Sequence, residues 1–462
     1  MLKNILKDPQ TAILNTWGSL EACTCAEEIN RILSELPRVK KDIKKVKSQK
    51  QEKASLFKEV KGDPAALENL KKEMQAVSQT LNSLEAERKH LESTLVDLFT
   101  PTSAEFPPRF DTISNRDNTN TGFSIEETHT GEEWDKYVLA HPQASAYHAY
   151  AWKGLIEQSF GHRSVYLLAR DSEKNCVGVL PLTAFDSRLF GCFAVSVPFF
   201  NYGGPLTDSP AITKALCEHA RALMQRENWQ HIELRCTEEL QDLPSESRKA
   251  SMILSLPKSF QLLEDAFGAK VRSQYKISEK INPHCFFGKT ELLDDFYRVF
   301  SRNMRDLGTP VYGKTFFKNI LDTFPDQATL VVVKANNKAL GAAFLFGYKD
   351  MLEIPWASTV KQANKYNINM WMYKNILNFA IEKDYGWFDF GRSTIDAGTF
   401  KFKKQWGAKP LVHYWHYILN EGSALPQMNP DNPKYKLAIA VWKRIPVSIT
   451  KLIGPPLIKH IP

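Results

Sequence analysis

The stretch TLVVVKANNKALGAAFLF, residues 329–346, consists of an apolar run, a polar turn and a second apolar run. This pattern predicts a β-hairpin. An upstream stretch, VYLLARDSEKNCVGVLPL at residues 165–182, has the same pattern, and Gly178 and Gly341 fall at the same point in the two. The sequence therefore predicts two hairpins built to one design.

The likeness continues downstream of each hairpin. ARALMQRENWQHIELRC (220–236) and LNFAIEKDYGWFDFGRS (377–393) both indicate a helix, a polar turn, an aromatic residue and a strand. In each half the predicted order is hairpin, further strand, helix and strand, which favours a mixed α/β fold used twice. Such a duplication predicts a pseudo-twofold pair of domains with a cleft between them.

Residues 26–98 predict two long helices. Their apolar residues recur at steps of three and four, and the glycine and proline of Lys61-Gly62-Asp63-Pro64 suit the end of one helix and the start of the next. This pattern predicts an antiparallel coiled-coil hairpin. Arg38 to Lys61 holds ten Lys or Arg against three acidic residues, which fits either a solvated coiled coil that dimerises the chain or an arm that tracks a phosphate backbone.

The predicted parts follow one another along the chain. The helical hairpin takes residues 1–105, and prolines with the polar run SNRDNTNTG mark 106–122 as a linker. The repeats then give a first domain at 123–270 and a second at 271–425, before a helical tail at 426–462. A chain of 462 residues with 43% apolar and 24% charged residues has the size and balance of an ordinary multidomain globular protein.

The cysteines and the apolar runs bear on the compartment. The seven cysteines are scattered without CxxC spacing, which predicts reduced thiols in a cytoplasm and no metal site. The first residues lack the pattern of a signal peptide, and the longest apolar run, Leu189 to Phe200, is too short to cross a bilayer. We expect a cytoplasmic protein, with peripheral binding at the inner membrane left open.

A glycine-rich turn follows a predicted strand in each half. The first, PFFNYGGPL, contains Asn201, Tyr202, Gly203 and Gly204, and its glycines allow backbone N–H groups to approach a ligand closely. A purely structural turn explains the same residues equally well. The second, FDFGRSTIDAGTFKFKKQWGAKP at 388–410, places charges and aromatic rings around a glycine turn, as either a solvated turn or an anion site.

Seven stretches of the core carry a family resemblance: YHAYAWKGLIEQSFGHRSVYLLA, PFFNYGGPL, RNMRDLGTPVYGKTFF, LEIPWAS, FDFGRST, GTFKFKKQWGAKP and NPDNPKYKLAIAVWKRIP. With them, residues 123–462 resemble the FemAB-like aminoacyltransferases, which pair two GNAT-type domains, and most of all their exosortase/PEP-CTERM-associated branch. The resemblance implies a cytoplasmic enzyme that moves an aminoacyl group from aminoacyl-tRNA to an amino group of a peptide or cell-envelope precursor. It implies no cofactor beyond that co-substrate.

The N-terminal segment carries a second resemblance, in MLKNILKDPQTAIL, SLFKEVKGDPAALENLKKEM and LFTPTSAEFPP. Residues 1–110 are similar to the tRNA-binding domain of seryl-tRNA synthetase, although Ala54 and Phe57 stand where that family usually has Asn and Ser. The two resemblances together imply tRNA as a partner, held by residues 38–61 and by 402–404. The synthetase resemblance makes seryl-tRNA the favoured donor.

The FemAB resemblance assigns roles within GTFKFKKQWG. Phe402 is expected to stack on the terminal adenine of the tRNA, and Lys403 to meet the leaving ribose oxygen or a phosphate. Arg392 is expected either to hold a phosphate with two hydrogen bonds or to pair internally with Asp389. We take Lys403 as a catalytic candidate.

Three further polar residues are candidates. Arg305 and Asp306 either pair with each other or line the acceptor pocket, and Asp306 is the candidate general base. His148 is a candidate for substrate binding. The sequence shows no Ser-His-Asp order and no setting for a Cys nucleophile, so we expect direct transfer without a covalent intermediate.

Two other functions stay open from the sequence. One is a GNAT-type N-acyltransferase that uses acyl-CoA or an acyl carrier in an exopolysaccharide or PEP-CTERM pathway. The usual CoA pyrophosphate loop, Gln/Arg-x-x-Gly-x-Gly/Ala, is not found at either predicted strand–helix junction, which disfavours that donor. The other is a non-catalytic scaffold joined by its coiled coil.

Overall fold

In the computed structural model of the protein, two helices form the N-terminal segment: α1 at Ala26–Leu56 and α2 at Pro64–Phe99. Their apolar side chains form one buried stripe, as the heptad spacing predicts. The stripe consists of Ile29, Ile32, Leu36, Val39, Ile43, Leu70, Leu81, Leu91 and Leu95. The ion pairs Lys40–Glu92, Lys47–Glu85 and Lys53–Glu73 run in opposite order along the two helices, so the hairpin is antiparallel. The predicted hairpin is confirmed.

The structure describes residues 26–57, 62–99, 106–110, 122–187, 190–426 and 433–461. The end of the basic stretch, residues 58–61, and the cysteines Cys23 and Cys25 lie outside the described residues. The chain divides into two compact units, Met1–Ser103 with Gln261–Ala266, and Ala104–Phe260 with Phe267–Pro462.

The second unit mixes strands and helices, as predicted. Its strands are β1 Ser124–Glu127, β2 Ser164–Arg170, β3 Cys176–Ser187, β4 Gly191–Val195, β5 Leu206–Thr207, β6 His231–Cys236, β7 Ser245–Ser255, β8 His284–Gly288, β9 Ala328–Ala335, β10 Lys338–Tyr348, β11 Met351–Thr359, β12 Trp387–Thr394 and β13 Lys409–Leu419. The helices that follow α2 in the chain are α3 Glu132–Ala140, α4 Ala151–Phe160, α5 Pro210–Arg226, α6 Phe260–Ala266, α7 Ala269–Lys276, α8 Leu293–Leu307, α9 Lys314–Thr323, α10 Ile368–Glu382, α11 Gly398–Lys404, α12 Pro433–Trp442 and α13 Val447–Ile458.

Within the described residues, thirteen strands form one sheet, in the order β1-β2-β3-β4-β6-β13-β7-β12-β11-β10-β9-β8, with β5 beside β3. Two neighbouring pairs, β4 with β6 and β11 with β12, are parallel. The other pairs are antiparallel. Each half of the sheet therefore runs from an outer hairpin to one parallel pair near the centre.

The duplicated design is visible in the contacts of two glycines. The hairpins β2–β3 and β9–β10 form as predicted. A Cβ atom on Gly178 of β3 would lie 2.7 Å from Ile212 of α5, and one on Gly341 of β10 would lie 3.1 Å from Ile368 of α10. In both halves the glycine thus makes room for the helix that leads into the next strand.

The two halves exchange strands at the centre of the sheet. β7 follows β6 in the chain but pairs with β12 of the second half, and β13 follows β12 but pairs with β6 of the first half. β7 and β13 also pair with each other. The boundaries at 123–270 and 271–425 stay a prediction about the repeats along the chain, and β7 lies in space beside strands of the second half.

Among the residues that the structure describes, no helix is both long and apolar enough to cross a membrane.

Candidate functional site

Two parallel strands separate near the centre of the second half. β11 and β12 pair from Met351–Trp387 to Glu353–Asp389, although both strands continue further. Beyond Asp389, β12 bulges and pairs only with β7. Gly391, at a φ of +73°, lies at this bulge, where a Cβ atom would sit 3.0 Å from the carbonyl oxygen of Ile354. Two buried carboxylates, Glu353 and Asp389, therefore stand side by side where the strands diverge.

The first half supplies the partners of Glu353. Tyr147 Oη donates to Glu353 Oε2 at 2.7 Å, and Asn201 Nδ2 donates to Oε1 at 3.2 Å. Tyr147 belongs to a short 3₁₀ turn before α4 and stacks on Phe200, with ring centroids 4.1 Å apart. Tyr147 is fully buried, whereas Asn201 keeps partial solvent exposure.

Asp389 accepts hydrogen bonds from two places in the chain. Tyr202 Oη donates to Asp389 Oδ2 at 3.1 Å, and the Gly391 N–H donates to Oδ1 at 2.7 Å. Arg109 in turn donates to Tyr202 Oη at 2.9 Å, and its buried guanidinium lies 4.7 Å from the centre of the Phe110 ring. A segment predicted as linker thus contributes a positive charge to the site.

Lys403 of α11 completes this group. Its ammonium is buried and donates to the carbonyl oxygens of Gly391 and Arg392 at 2.8 and 3.0 Å. Burial lowers the pKa of Lys403 to about 8, against the opposing effect of Asp389. We call the set Arg109, Tyr147, Asn201, Tyr202, Glu353, Asp389 and Lys403 the carboxylate cluster.

Burial controls the protonation of the two acids. Removal from water, with the neighbouring charge of Asp389, raises the pKa of Glu353 to about 8. Burial also raises the pKa of Asp389, partly offset by the Gly391 N–H and by Lys403. A carboxyl group of this kind exchanges a proton near neutral pH, which is the property required of a general acid or base.

The Arg392 guanidinium lies beside the cluster, 4.8 Å from the centre of the Trp415 ring, and Arg235 lies 4.5 Å from the centre of the same ring. Part of the side chain is open to solvent, but burial of the guanidinium and the nearby charge of Arg235 lower the pKa of Arg392 to about 10. Among the described residues no ion pair joins Arg392 to an acid. The expected alternative of an Asp389–Arg392 pair is wrong, because Tyr202 and the Gly391 N–H take the Asp389 oxygens.

Phe402 is less free than the sequence indicates. Its ring is half-buried and packs edge-on against Tyr373 of α10, with centroids 5.3 Å apart. Part of the ring stabilises the packing of α11 on α10, and the remainder is open to solvent. Stacking on a base through that remaining surface stays a prediction.

The glycines of the first turn serve an internal contact. The N–H groups of Gly203 and Gly204 both donate to the carbonyl oxygen of Arg235, at 3.0 and 2.9 Å. A Cβ atom on Gly204 would lie 2.6 Å from the sulfur of Cys236. The glycines are therefore required by the close approach of this loop to β6, and their amides already have a protein partner. The part of this turn that reaches the carboxylate cluster is Asn201 and Tyr202.

His148 braces the same loop. Its Nδ1 accepts from the Ser145 N–H at 3.0 Å, so the proton lies on Nε2, which donates to the Gly204 carbonyl oxygen at 3.0 Å. Burial lowers the pKa of His148 to about 4, which keeps the ring neutral. Both ring nitrogens are occupied by the protein, so this histidine holds the turn in place.

The backbone before this turn is strained. Val197 and Phe199 both have positive φ, of 49° and 73°, a conformation that is costly for a β-branched residue. Phe199 reaches across to the second half, where its ring centre lies 5.6 Å from that of Tyr312. Tyr312 in turn lies 5.9 Å from Trp356. These half-buried rings form an aromatic wall beside the carboxylate cluster.

Arg305 and Asp306 lie elsewhere. They pair with each other at 2.8 Å near the end of α8, and Arg305 faces the carbonyl oxygens of Lys443 and Ile445 at 3.5 and 3.4 Å. No hydrogen bond between the described residues links either side chain to the carboxylate cluster. Of the two alternatives, the structure shows Arg305 and Asp306 paired with each other. Glu353 therefore replaces Asp306 as the candidate proton acceptor.

Four members of the cluster were not predicted as site residues: Arg109, Tyr147, Glu353 and Asp389, the last of which was considered only as a partner of Arg392. Glu353 lies in MLEIPWAS, and an acidic residue within an apolar strand is a signal that identifies it. Arg109 lies in a proline-rich polar segment, where nothing in the pattern marks it. No group of three or more His, Cys, Asp or Glu side chains within the described ranges is arranged to hold a metal ion.

Comparison with known proteins bears on the fold. Residues 282–404 match the family model of an acetyltransferase (GNAT) domain. A crystal structure of FemX superposes with a TM-score of 0.51 at 15% identity and covers 68% of this chain and 100% of its own. L-PGS from Bacillus licheniformis gives a TM-score of 0.43 at 12% identity, over 72% of this chain and 99% of its own. A tandem GNAT protein from the clavulanic acid biosynthesis pathway gives 0.43 at 10% identity, over 66% of this chain and 100% of its own.

No curated protein matches the chain. The segment that matches the GNAT domain contains β11, β12 and α11, and with them Glu353, Asp389 and Lys403 of the carboxylate cluster. The chain thus has a GNAT-type acyltransferase fold with the carboxylate cluster at the centre of its sheet.

Proposed function

We propose that the protein is an aminoacyltransferase that moves an aminoacyl group from aminoacyl-tRNA to an amino group of a peptide or cell-envelope precursor. The observation that carries this proposal is the carboxylate cluster, in which residues of both halves meet around a proton-exchanging carboxyl group at the divergence of β11 and β12. The fold likeness to FemX and the stretches that resemble the FemAB-like family support the choice of donor.

The proposed step is a direct transfer. The acceptor nitrogen forms a bond to the ester carbonyl carbon, the bond from that carbon to the ribose oxygen breaks, and one proton passes from the amine to the leaving oxygen. Glu353 is the group suited to take and return that proton, because its pKa lies near neutral. The positive charge of Lys403 favours negative charge that develops on oxygen nearby.

We expect the phosphates of the tRNA donor to bind at two basic parts of the protein. In the core, the exposed Arg392 presents a planar fork of the kind that holds phosphate. In the hairpin, the outer face of α1 carries exposed basic residues that have no ion-pair partner among the described residues: Arg38, Lys41, Lys44 and Lys45. The lysines that face α2 are neutralised by its glutamates. We propose that the outer face tracks the tRNA backbone, with seryl-tRNA as the favoured donor.

Acyl-CoA is the second candidate donor, because residues 282–404 match a GNAT acetyltransferase domain. The connection between β11 and α10 argues against it. That connection, Val360–Asn367, contains a 3₁₀ turn and no glycine, whereas a pyrophosphate cradle needs close backbone approach.

The test is a transfer assay with purified full-length protein. Charged tRNAs, seryl-tRNA among them, and acyl-CoA are offered in parallel to amine-bearing envelope-precursor peptides, and the product is measured by mass spectrometry. We expect a mass increase of one amino acid residue with charged tRNA. Turnover with acyl-CoA and none with any charged tRNA would overturn the donor assignment, and no turnover with either donor would favour the scaffold.

A further inference from the structure

The last two helices present apolar side chains to solvent. Leu437 of α12 is 74% exposed and Leu452 of α13 is 76% exposed. Of the eleven large apolar side chains that are exposed among the described residues, six lie between residues 437 and 461. Those six are Leu437, Val441, Ile449, Leu452, Leu457 and Ile461.

The exposed residues lie along one face of each helix. Leu437 and Val441 are four residues apart on α12, and Ile449 and Leu452 are three apart on α13, spacings that place side chains together on a helix surface. Other residues pack the helices against the rest of the second unit. Ile439 of α12 lies against Gly308, and Gly454 of α13 lies against Val311. Each helix is thus fixed on one side and apolar on another.

The same segment concentrates positive charge. Residues 432–462 contain six Lys or Arg and no Asp or Glu, while the whole chain has a formal net charge of +8. Lys443 and Arg444, between the two helices, are exposed, and no ion pair neutralises them among the described residues. An apolar face bordered by unneutralised basic groups is typical of a helix that lies in a lipid interface.

We propose that α12 and α13 dock the protein on the surface of a membrane that contains anionic phospholipids. In this arrangement the exposed leucine and isoleucine side chains enter the boundary of the acyl chains, and Lys443 and Arg444 meet the phosphate groups of the lipids. Helices of 10 and 12 residues are too short to cross a bilayer, so they lie along its surface.

Charge decides between a membrane and a second copy of the chain. A symmetric contact through this face would bring two segments together that each carry six basic and no acidic residues, and such like charges repel. An anionic lipid surface has the complementary sign and also accepts the apolar side chains. A membrane is therefore the occupant that satisfies both features of the face.

The experiment is sedimentation of the full-length protein with vesicles of phosphatidylcholine alone and of phosphatidylcholine mixed with phosphatidylglycerol. We expect binding to the mixed vesicles that weakens with added salt. The double variant Leu437→Glu/Leu452→Glu should bind at least about tenfold more weakly. The variant Lys443→Glu/Arg444→Glu should bind at least roughly 25-fold more weakly, since the loss of each basic residue near an anionic surface costs about fivefold and the new negative charges add repulsion.

Matched controls separate this face from general surface properties. Leu139→Glu on α3 replaces a leucine that is 71% exposed, and Lys214→Glu reverses an exposed charge on α5. Both controls should bind like the unmodified protein, and Tm values should be unchanged throughout because all these side chains are exposed. Absence of binding to the mixed vesicles, or equal losses in the controls, would overturn the proposal. A dimer in solution that Leu437→Glu/Leu452→Glu dissociates would assign the face to a second copy instead. None of these measurements depends on transfer activity.

Discussion

At the scale of single residues, two carboxyl groups share one buried region, which is costly unless at least one of them holds a proton. Glu353 and Asp389 are adjacent on neighbouring strands, and only Arg109 and Lys403 bring positive charge into the carboxylate cluster. The raised pKa of Glu353 is the consequence of that arrangement. It ties the stability of the protein to pH in a direction that can be measured.

We expect Glu353 to lower the stability of the fold as pH rises. Its pKa is about 8 in the folded protein, against an ordinary value of 4.5, so between these values the folded state binds more protons than the unfolded state. The contribution of Glu353 to the free energy of unfolding therefore falls from pH 5 to pH 8. Glu353→Gln, which resembles the protonated acid, should remove about 2 kcal/mol or more of this fall. Urea unfolding at a series of pH values measures it, and parallel curves for the two proteins would contradict the assignment.

Variants of Lys403 and Arg392 should differ in whether they affect stability or tRNA binding. Lys403→Met removes the donor to the buried carbonyl oxygen of Gly391 and to the partly buried one of Arg392, which should cost about 1–3 kcal/mol of stability and slow transfer by about a hundredfold. Arg392→Ala removes a side chain that has no ion pair but packs on the Trp415 ring, so the free energy of unfolding should change by no more than about 1 kcal/mol. Its effect should appear as weaker binding of the tRNA. Thermal unfolding and a filter-binding assay compare the two variants, and a large loss of stability in Arg392→Ala would reveal a partner for its guanidinium.

Some residues of the carboxylate cluster can be identified from local sequence patterns, and others can be identified only from the folded structure. Tyr202 and Lys403 stand in unusual local patterns, and both reach the carboxylate cluster. Asp306 was taken as the candidate general base and Glu353 was not considered, although the position of Glu353 within an apolar strand indicates a buried carboxyl group. Arg109 enters the site from a segment of polar and proline-rich character, and only the folded chain brings it to Tyr202.

At the scale of elements, the hairpin of α1 and α2 follows from local spacing alone. A heptad pattern states which residues are buried and where the partner helix must lie, so its bounds were predicted closely. The same reasoning gave the hairpins β2–β3 and β9–β10, whose strands are neighbours in the chain. Pairings between distant strands leave no comparable mark in the sequence.

The prediction at the scale of elements concerns tRNA binding by the basic outer face of α1. The triple variant Arg38→Glu/Lys41→Glu/Lys45→Glu should weaken tRNA binding and reduce the slope of log affinity against log salt by about three, because each lost phosphate contact reduces it by roughly one. Lys71→Glu/Lys72→Glu/Lys89→Glu on α2 is the charge-matched control, at three exposed lysines, and should change binding far less. If both variants bind tRNA as the unmodified protein does, the hairpin is a solvated or dimerising coiled coil, and sedimentation velocity distinguishes those two.

At the scale of the whole molecule, the repeat along the chain and the repeat in space differ. The sequence order predicts two domains in succession, but β7 pairs with β12 and β13, whereas β6 pairs with β13. Each half of the sequence has the pattern of a complete domain, because the strands of its hairpin and of its parallel pair all come from that half. The exchange of the last strand depends on contacts between residues more than a hundred positions apart, which no local pattern encodes.

The exchange leads to a prediction about folding. A fragment of residues 123–270 retains β7 but loses both of its neighbours, and it also leaves one edge of β6 unpaired. Unpaired central strands expose apolar surface and backbone hydrogen-bonding groups. We therefore expect this fragment to be unfolded or aggregated when expressed alone, and to fold when it is co-expressed with residues 271–462.

In the full chain, β6 and β12 should accordingly lose protection from hydrogen exchange with the same opening free energy, because neither half of the sheet can open without removing a strand from the other. Hydrogen exchange with mass spectrometry at a series of urea concentrations measures both strands in one experiment. Separate opening free energies for β6 and β12, or a fragment 123–270 with a dispersed NMR spectrum, would show that each half keeps its own last strand in solution. A single opening event would mean that the carboxylate cluster, assembled from both halves, forms only when the whole sheet does.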